Sequence, residues 1–188
     1  TQTFIYHLHT DELPRKHMDW LFIHEGVPGH HYQSQFARNS ATCPSSQSLP
    51  GAAIFAEGWG AYVETLGQQL GLFKDSSSIS YALDWQAMRA VRVLIDVGIH
   101  HKGWTDEQAR ATWMSHIPEQ ADIMEREIKR IRRWPAQVIT YVYGKAMIKQ
   151  AIEQRMADYS DWSLADVHRN ILGLSNFSVK ALLVKKGT

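Results

Sequence analysis

Apolar residues recur along most of this chain at intervals of three or four positions, the spacing of a helix that buries one face. The pattern is clearest between Ser80 and His101, where five large apolar side chains follow it: Trp85, Met88, Val91, Ile95 and Ile99. Similar stretches predict further helices over about 16–37, 52–72, 118–133 and 136–157, with shorter helical pieces from residue 163 onward. The predicted fold class is therefore all-α.

Local signals predict several of the helix ends. Thr105 and Gln108 have the spacing of an N-terminal capping box, and Trp134-Pro135 is typical of the end of a helix. Residues 39–51, NSATCPSSQSLPG, predict a surface loop, and the alternation in residues 3–9, TFIYHLH, predicts a short N-terminal strand. Because no linker divides the chain, residues 1–188 are expected to form a single domain.

Composition and charge narrow the classes of function. The chain is 44% hydrophobic and 21% charged, which is typical of a globular protein. Its net charge of +1 provides no electrostatic basis for binding nucleic acid. No apolar run reaches the roughly 18–20 residues that span a bilayer, so no transmembrane helix is expected. Cys43 is the only cysteine, which excludes an internal disulfide.

The stretch FIHEGVPGHHYQ, residues 22–33, resembles a zinc-binding helix with an altered centre. His24-Glu25 begins the motif His-Glu-x-x-His, in which two histidines bind zinc and the Glu is the general base, but Pro28 stands where the second histidine belongs. On a regular helix neither of the next histidines could share an ion with His24, because the i+6 position points about 240° away and the i+7 position lies about 10.5 Å along the axis. A helical bulge at Pro28-Gly29 would bring His30 to the ligand position, with His31 as the alternative.

A third zinc ligand is expected from the segment AEGWGAYVE. Zinc in catalytic sites takes three protein ligands and leaves a fourth position open. Glu57 follows His30 at a distance that allows a loop and a returning helix, and small residues beside it would let another helix approach. Glu64 lies two turns further on the same face, so we expect it to orient a ligand histidine through its other ring nitrogen.

Four polar residues interrupt the apolar helix over 80–101: Arg89, Arg92, Asp96 and His100. One interpretation is a buried ion-pair network that orders the core. In the other, Asp96 orients His100 towards the substrate, and Arg89 or Arg92 reaches a carboxylate behind the metal such as Glu64. Further along, Arg130, Arg132 and Arg133 form a basic cluster, which is either a solvated face or a site for a substrate carboxylate.

HEGVPGHHYQ followed by EGWGAYVE resembles the bacterial family catalogued as domain of unknown function 885. The resemblance continues through RAVRVLIDVGIHHKGWT at 89–105 and RRWPAQVITYVYGKAMI at 132–148. That family in turn resembles helical zinc peptidases of the thimet oligopeptidase, angiotensin-converting enzyme and carboxypeptidase Taq type. The resemblance implies a gluzincin-like helical fold that binds one Zn²⁺ through His24, His30 and Glu57, with Glu25 as general base.

The same resemblance implies a role for a tyrosine late in the chain. Tyr141, or Tyr143 as the alternative, would donate a hydrogen bond to the oxyanion that forms during hydrolysis. It also implies that the chain is the C-terminal catalytic portion of a longer protein, whose N-terminal part is needed to complete the site. A periplasmic or cell-envelope location, as a lipoprotein, is expected on the same ground.

The predicted function is therefore that of a zinc-dependent hydrolase, most simply a metallopeptidase acting on peptide or other amide bonds. Two alternatives remain open at this stage. The same residues could hydrolyse a non-peptide acyl substrate, or the chain could be a non-catalytic helical domain that binds metal or peptide. A serine hydrolase is disfavoured because the sequence contains no G-x-S-x-G motif.

Overall fold

A computed structural model describes residues 15–40, 52–174 and 179–183 of the chain. Within these residues there are eight α-helices and no β-strand, so the predicted all-α class is confirmed. The helices are α1 (Arg15–Glu25), α2 (His30–Ser40), α3 (Ala52–Val63), α4 (Ser76–Lys102), α5 (Asp106–His116), α6 (Ala121–Arg133), α7 (Ile139–Asp158) and α8 (Leu164–Gly173). None of the described helices is both long enough and apolar enough to cross a membrane. The strand predicted at 3–9 lies outside the described residues, as does most of the loop predicted at 39–51.

The helix ends follow local chemistry. The capping box is confirmed, because the Thr105 side chain accepts from the backbone of Gln108 and the Gln108 side chain accepts from the backbone of Thr105. Helix α6 ends at Arg133, immediately before Trp134-Pro135, as predicted. The largest differences from the prediction are at two boundaries. Helix α3 ends at Val63 and continues only as a short 3₁₀ turn, and α4 begins at Ser76 because Asp75 caps it by accepting a hydrogen bond from the backbone of Ser78 at 2.7 Å.

The helix predicted over 16–37 is interrupted. Helix α1 ends at Glu25, residues 26–29 form a turn, and α2 starts at His30. The expected bulge within one continuous helix is therefore wrong, and Pro28-Gly29 instead separates two helices. The Trp59 indole stabilises this turn by donating a hydrogen bond of 2.8 Å to the Pro28 carbonyl oxygen. Gly29 is required there, since a Cβ atom would collide with the backbone of His24.

The core is divided into two apolar clusters that share α4 as a wall. One is built around α1, α3, α7 and α8, with Ile23, Phe55, Trp59 and Ile148 fully buried. The other lies between α4, α5 and α6. Helices α3 and α7 cross in close contact at Gly58 and Gly144, where a Cβ on either residue would overlap the backbone of the opposite helix. This crossing holds the start of α7 against the middle of α3.

Candidate metal centre

Three side chains from three helices meet beside the turn at 26–29. His24 at the end of α1, His30 at the start of α2 and Glu57 on α3 each place one ligand-type atom within 4.8 Å of the other two. The Glu57 Oε2 atom lies 3.6 Å from His30 Nε2 and 4.0 Å from His24 Nε2. Within the described part of the chain, this is the one group of three His, Cys, Asp or Glu side chains with such an arrangement.

The donor set fits a zinc ion. Zinc takes nitrogen and oxygen ligands at about 2.0–2.2 Å, so ligand atoms around a tetrahedral ion are about 3.3 Å apart. The Glu57 oxygen exceeds this spacing by about 0.3 Å to His30 and about 0.7 Å to His24, and all three ligand-type atoms lie within 4.8 Å of one another, so rotation of the side chains is needed to close them around an ion. Two imidazoles and one carboxylate are also the donor set of catalytic zinc sites that leave the fourth position open.

His24 is held from three sides. Its Nδ1 atom lies 2.6 Å from Oε1 of Glu64, so we assign the proton to Nδ1 and the lone pair to Nε2, which faces Glu57. The Trp20 ring, one turn earlier on α1, stacks on the imidazole with centroids 5.6 Å apart. On the remaining side the ring lies against Gly60, where a Cβ atom would come within 2.6 Å of His24 Cε1.

Glu64 is buried together with Arg89, which forms a bidentate ion pair with it. Arg89 Nη2 donates to Oε1 at 2.8 Å and Nη1 donates to Oε2. Burial alone would raise the pKa of Glu64, but the hydrogen bond from His24 and the Arg89 guanidinium hold it below the usual value. Glu64 is therefore a buried carboxylate that stays charged and fixes the orientation of His24. Of the two arginines proposed from the sequence to reach it, the structure selects Arg89.

His30 and Glu57 interact directly. Burial disfavours the charged form of His30, but the Glu57 carboxylate 3.6 Å from its Nε2 and the negative charge of Glu25 outweigh this and raise the pKa of His30. Burial alone would raise the pKa of Glu57, but the neighbouring His30 and His24 lower it below its usual value. The two groups thus form an ion pair. His31, the alternative ligand, is exposed.

Glu25 and Tyr141 lie close to His24, one of the three ligand-type groups. Both line a cavity of about 400 Å³ that also contains His24. The Tyr141 ring lies 6.5 Å from that of His24, and its hydroxyl is close enough to Glu57 to contribute to the low pKa of this carboxyl. Tyr143, the alternative, is 38% exposed and does not line the cavity. The structure therefore brings together Glu25 and Tyr141, but not Tyr143.

The remaining polar residues of α4 depart from the prediction. Asp96 does not orient His100, because its Oδ2 accepts a hydrogen bond from the backbone of Ala136 at 2.9 Å. His100 is exposed, its ring contacts the Ile131 carbonyl oxygen at 2.9 Å, and it does not line the cavity. Arg92 forms an ion pair of 2.5 Å with Glu127 of α6. For Arg92, Asp96 and His100, the interpretation as a network that orders the core fits better than a role beside the metal.

Three positioning residues were missed in the sequence: Trp20, Trp59 and Glu127. Trp59 belongs to the same AEGWGAYVE segment as Glu57, and its position there was the available signal. Trp20 lies one helical turn before His24, at the i−4 spacing that brings side chains on a helix together. Nothing in the local sequence distinguishes Glu127 from the exposed acids of the same helix.

Replacing Gly60 with alanine is expected to weaken zinc binding about 10- to 100-fold, the range for disturbing a group that orients a metal ligand. The new methyl group would displace the His24 ring from its contact with Glu64. Isothermal titration calorimetry with Zn²⁺ measures the effect. Gly173→Ala is the matched control, because a Cβ there meets no atom of the described residues within 4 Å. Equal zinc affinity in the two variants would contradict the assigned position of His24.

Two solved structures share this fold. The crystal structure of a "putative lipoprotein" from Colwellia psychrerythraea is 30% identical and superposes with a TM-score of 0.76, covering 87% of this chain and 28% of that one. A second "putative lipoprotein of unknown function", from Shewanella oneidensis, is 27% identical with a TM-score of 0.75, covering 88% of this chain and 30% of that one. The chain thus spans less than a third of either neighbour.

No curated protein matches the chain. A family model described as "Bacterial protein of unknown function (DUF885)" matches residues 2–182, which is nearly the whole sequence. The chain belongs to the DUF885 family of bacterial proteins.

Proposed function

We propose that this chain carries the catalytic residues of a zinc-dependent hydrolase, most simply a metallopeptidase. The observation that carries the proposal is the meeting of His24, His30 and Glu57 beside a cavity. A chance cluster of two histidines and an acid would have no reason to include a buried carboxylate behind one histidine. Here Glu64 is buried, ion-paired with Arg89 and hydrogen-bonded to the far nitrogen of His24, the arrangement that orients histidine ligands in metal sites.

Each residue near His24, His30 and Glu57 has a separate role in the proposed hydrolysis. A bound zinc ion would lower the pKa of a water molecule and polarise the scissile carbonyl. Glu25 would accept a proton from that water and donate it to the leaving amine, a role that its place next to His24 on the cavity wall allows. Tyr141 would donate its hydroxyl proton in a hydrogen bond to the developing oxyanion. Gln137 and Arg130, at 3.3 and 3.4 Å from that hydroxyl oxygen, hold it in place.

The proposal also concerns the rest of the protein and its location in the cell. Both structural neighbours are more than three times as long as the stretch they share with this chain. We infer that further chain, corresponding to the rest of those proteins, closes the substrate site. The description of both neighbours as lipoproteins favours a cell-envelope location for this protein as well.

Titration of the metal-free protein with Zn²⁺ tests the proposal. One ion per chain is expected to bind, and replacing His24, His30 or Glu57 with alanine should weaken its affinity by more than about 100-fold, the upper limit for losing a residue that only supports a ligand. His31→Ala is the control, since His31 adjoins His30 in the chain but is exposed. Absence of zinc binding by the wild-type protein, or its loss in His31→Ala alone, would refute the site.

A further inference from the structure

The charged residues that line the cavity beside the proposed metal centre are mainly positive. Four guanidinium groups line its wall, from Arg89 and Arg92 on α4 and Arg126 and Arg130 on α6, whereas Glu25 is the single carboxylate among the lining residues. Because His24, Glu25 and Tyr141 belong to the same wall, this positive region adjoins the proposed reaction centre.

The arginines are only partly neutralised by the carboxylates behind them. Glu64 is used by Arg89. The remaining three arginines share Glu127, whose carboxylate oxygens lie 2.5 Å from Arg92, 3.3 Å from Arg126 and 4.0 Å from Arg130. Together with Glu25, three carboxylates thus face four guanidinium groups, which leaves an excess of one positive charge at the cavity wall.

Several donors in this wall are also without a partner. Among the described residues, the buried Nε atoms of Arg89, Arg92 and Arg130 and the buried Nε1 of Trp20 find no hydrogen-bond partner, and one acceptor, Glu127 Oε2, finds none either. Arg89 and Arg92 are 4% and 2% exposed, so solvent satisfies little of this deficit. Burial lowers the pKa of Arg92, and the nearby positive charge of Arg130 lowers it further. Excess buried charge is costly, and a bound anion would reduce that cost by pairing with it.

The position of Arg130 relates this charge to the chemistry. Its Nη2 atom donates to the Tyr141 hydroxyl at 3.4 Å, and Tyr141 in turn reaches Glu57. An anion held by Arg126 and Arg130 would therefore be separated from Glu57 by the Tyr141 side chain alone. The rings of Trp20, Tyr81 and Trp85 form the apolar part of the same wall, which suits a short organic group attached to the anion better than a free inorganic ion.

We propose that this cavity binds the C-terminal carboxylate of the substrate, with Arg126 and Arg130 as specificity residues, so that the protein removes residues from the C-terminal end of peptides. This inference rests on the proposed function, because the zinc centre supplies the hydrolysis of the adjoining amide bond. A planar carboxylate matches the two-pronged donor geometry of arginine. An acidic side chain within the peptide offers the same chemistry and is the alternative that the experiment must separate.

Three peptides distinguish a C-terminal carboxylate from an acidic side chain, and they are tested with the whole protein that carries this chain. The first has a free C-terminus, the second is the same sequence as a C-terminal amide, and the third is that amide with a glutamate introduced near its end. Cleavage is measured as kcat/KM. Binding is measured by calorimetry in Glu25→Gln, so that the preference can be read even where no bond is cleaved. The free acid is expected to exceed the plain amide by about 10- to 100-fold, the equivalent of one charge-assisted hydrogen bond.

Variants assign the preference to the cavity. Arg130→Gln should reduce the ratio of free acid to amide at least about tenfold, while Arg133→Gln, an exposed position on the same helix outside the cavity, should preserve it. Glu127 keeps Arg92 as a partner in the Arg130 variant, which protects the fold. Equal binding and cleavage of acid and amide would overturn the proposal, as would a glutamate-containing amide that matches the free acid. A protein that binds the free acid selectively but cleaves nothing would refute the hydrolase function and leave the carboxylate site standing.

Discussion

Glu25→Gln is expected to reduce kcat by about 10²- to 10⁴-fold, the usual contribution of a general base, while zinc remains bound. Glutamine preserves the size of the side chain but cannot accept a proton. Glu25 lines the cavity and is not one of the three ligand-type groups, so its replacement leaves the metal donors intact. The measurement is peptide hydrolysis under saturating substrate, with zinc content determined on the same preparation.

Glu153→Gln on α7 is the control, since it removes one exposed carboxylate from another face of the protein. It should retain full activity. Unchanged activity in Glu25→Gln would exclude Glu25 as the base. Loss of zinc from that variant would show instead that Glu25 supports the metal, and the assignment of roles around His24 would be wrong.

Arg89→Met is expected to lower the free energy of unfolding by about 3–5 kcal/mol, the cost of leaving one member of a buried ion pair uncompensated. Glu64 is 1% exposed and would lose its bidentate partner, keeping only His24. The guanidinium also lies over the rings of Trp20 and Trp85, at 5.6 and 5.8 Å from their centroids, so packing is lost as well. Urea denaturation of the metal-free protein at pH 7 measures the change.

The pH dependence of this difference identifies Glu64 as its source. The folded protein lowers the pKa of Glu64, so the stability that the carboxylate contributes is complete above its ordinary pKa of 4.5 and is lost as the pH falls through the lower folded value. The gap between wild type and Arg89→Met should therefore be widest above pH 4.5 and narrow in acid. Arg110→Met breaks an exposed ion pair with Glu125 and is the control, with little effect expected at any pH. Equal losses in the two variants would contradict a charged, buried Glu64.

The parts of the fold that could be predicted depend on neighbours in sequence. The capping box at Thr105 and the helix end before Trp134 involve residues within a few positions of each other. The meeting of His24, His30 and Glu57 could be anticipated because two histidines lie close in the chain and the acid follows at a distance that permits a returning helix. The turn that brings these residues together could not be predicted. The turn at Pro28 depends on a hydrogen bond from Trp59, which lies 31 residues away.

The ion pairs of α4 illustrate the opposite case. Spacing along the helix offered Asp96 as a partner for both Arg92 and His100. Asp96 instead accepts from the backbone of Ala136, a residue held at a positive φ of 65° after the end of α6. Arg92 pairs with Glu127 across the helix interface. Spacing along a helix indicates which side chains of that helix can meet. Here the packing of α6 onto α4 provides other partners for Asp96 and Arg92. The arginine-lined cavity is likewise a product of that packing.

The central claim is that one zinc ion is held between His24, His30 and Glu57. Anomalous diffraction from zinc-soaked crystals, recorded on both sides of the zinc absorption edge, tests it most directly. A single strong peak is expected about 2.0–2.2 Å from Nε2 of both histidines and from a carboxylate oxygen of Glu57. A peak bound through His31, or no peak between these three side chains at saturating zinc, would contradict it.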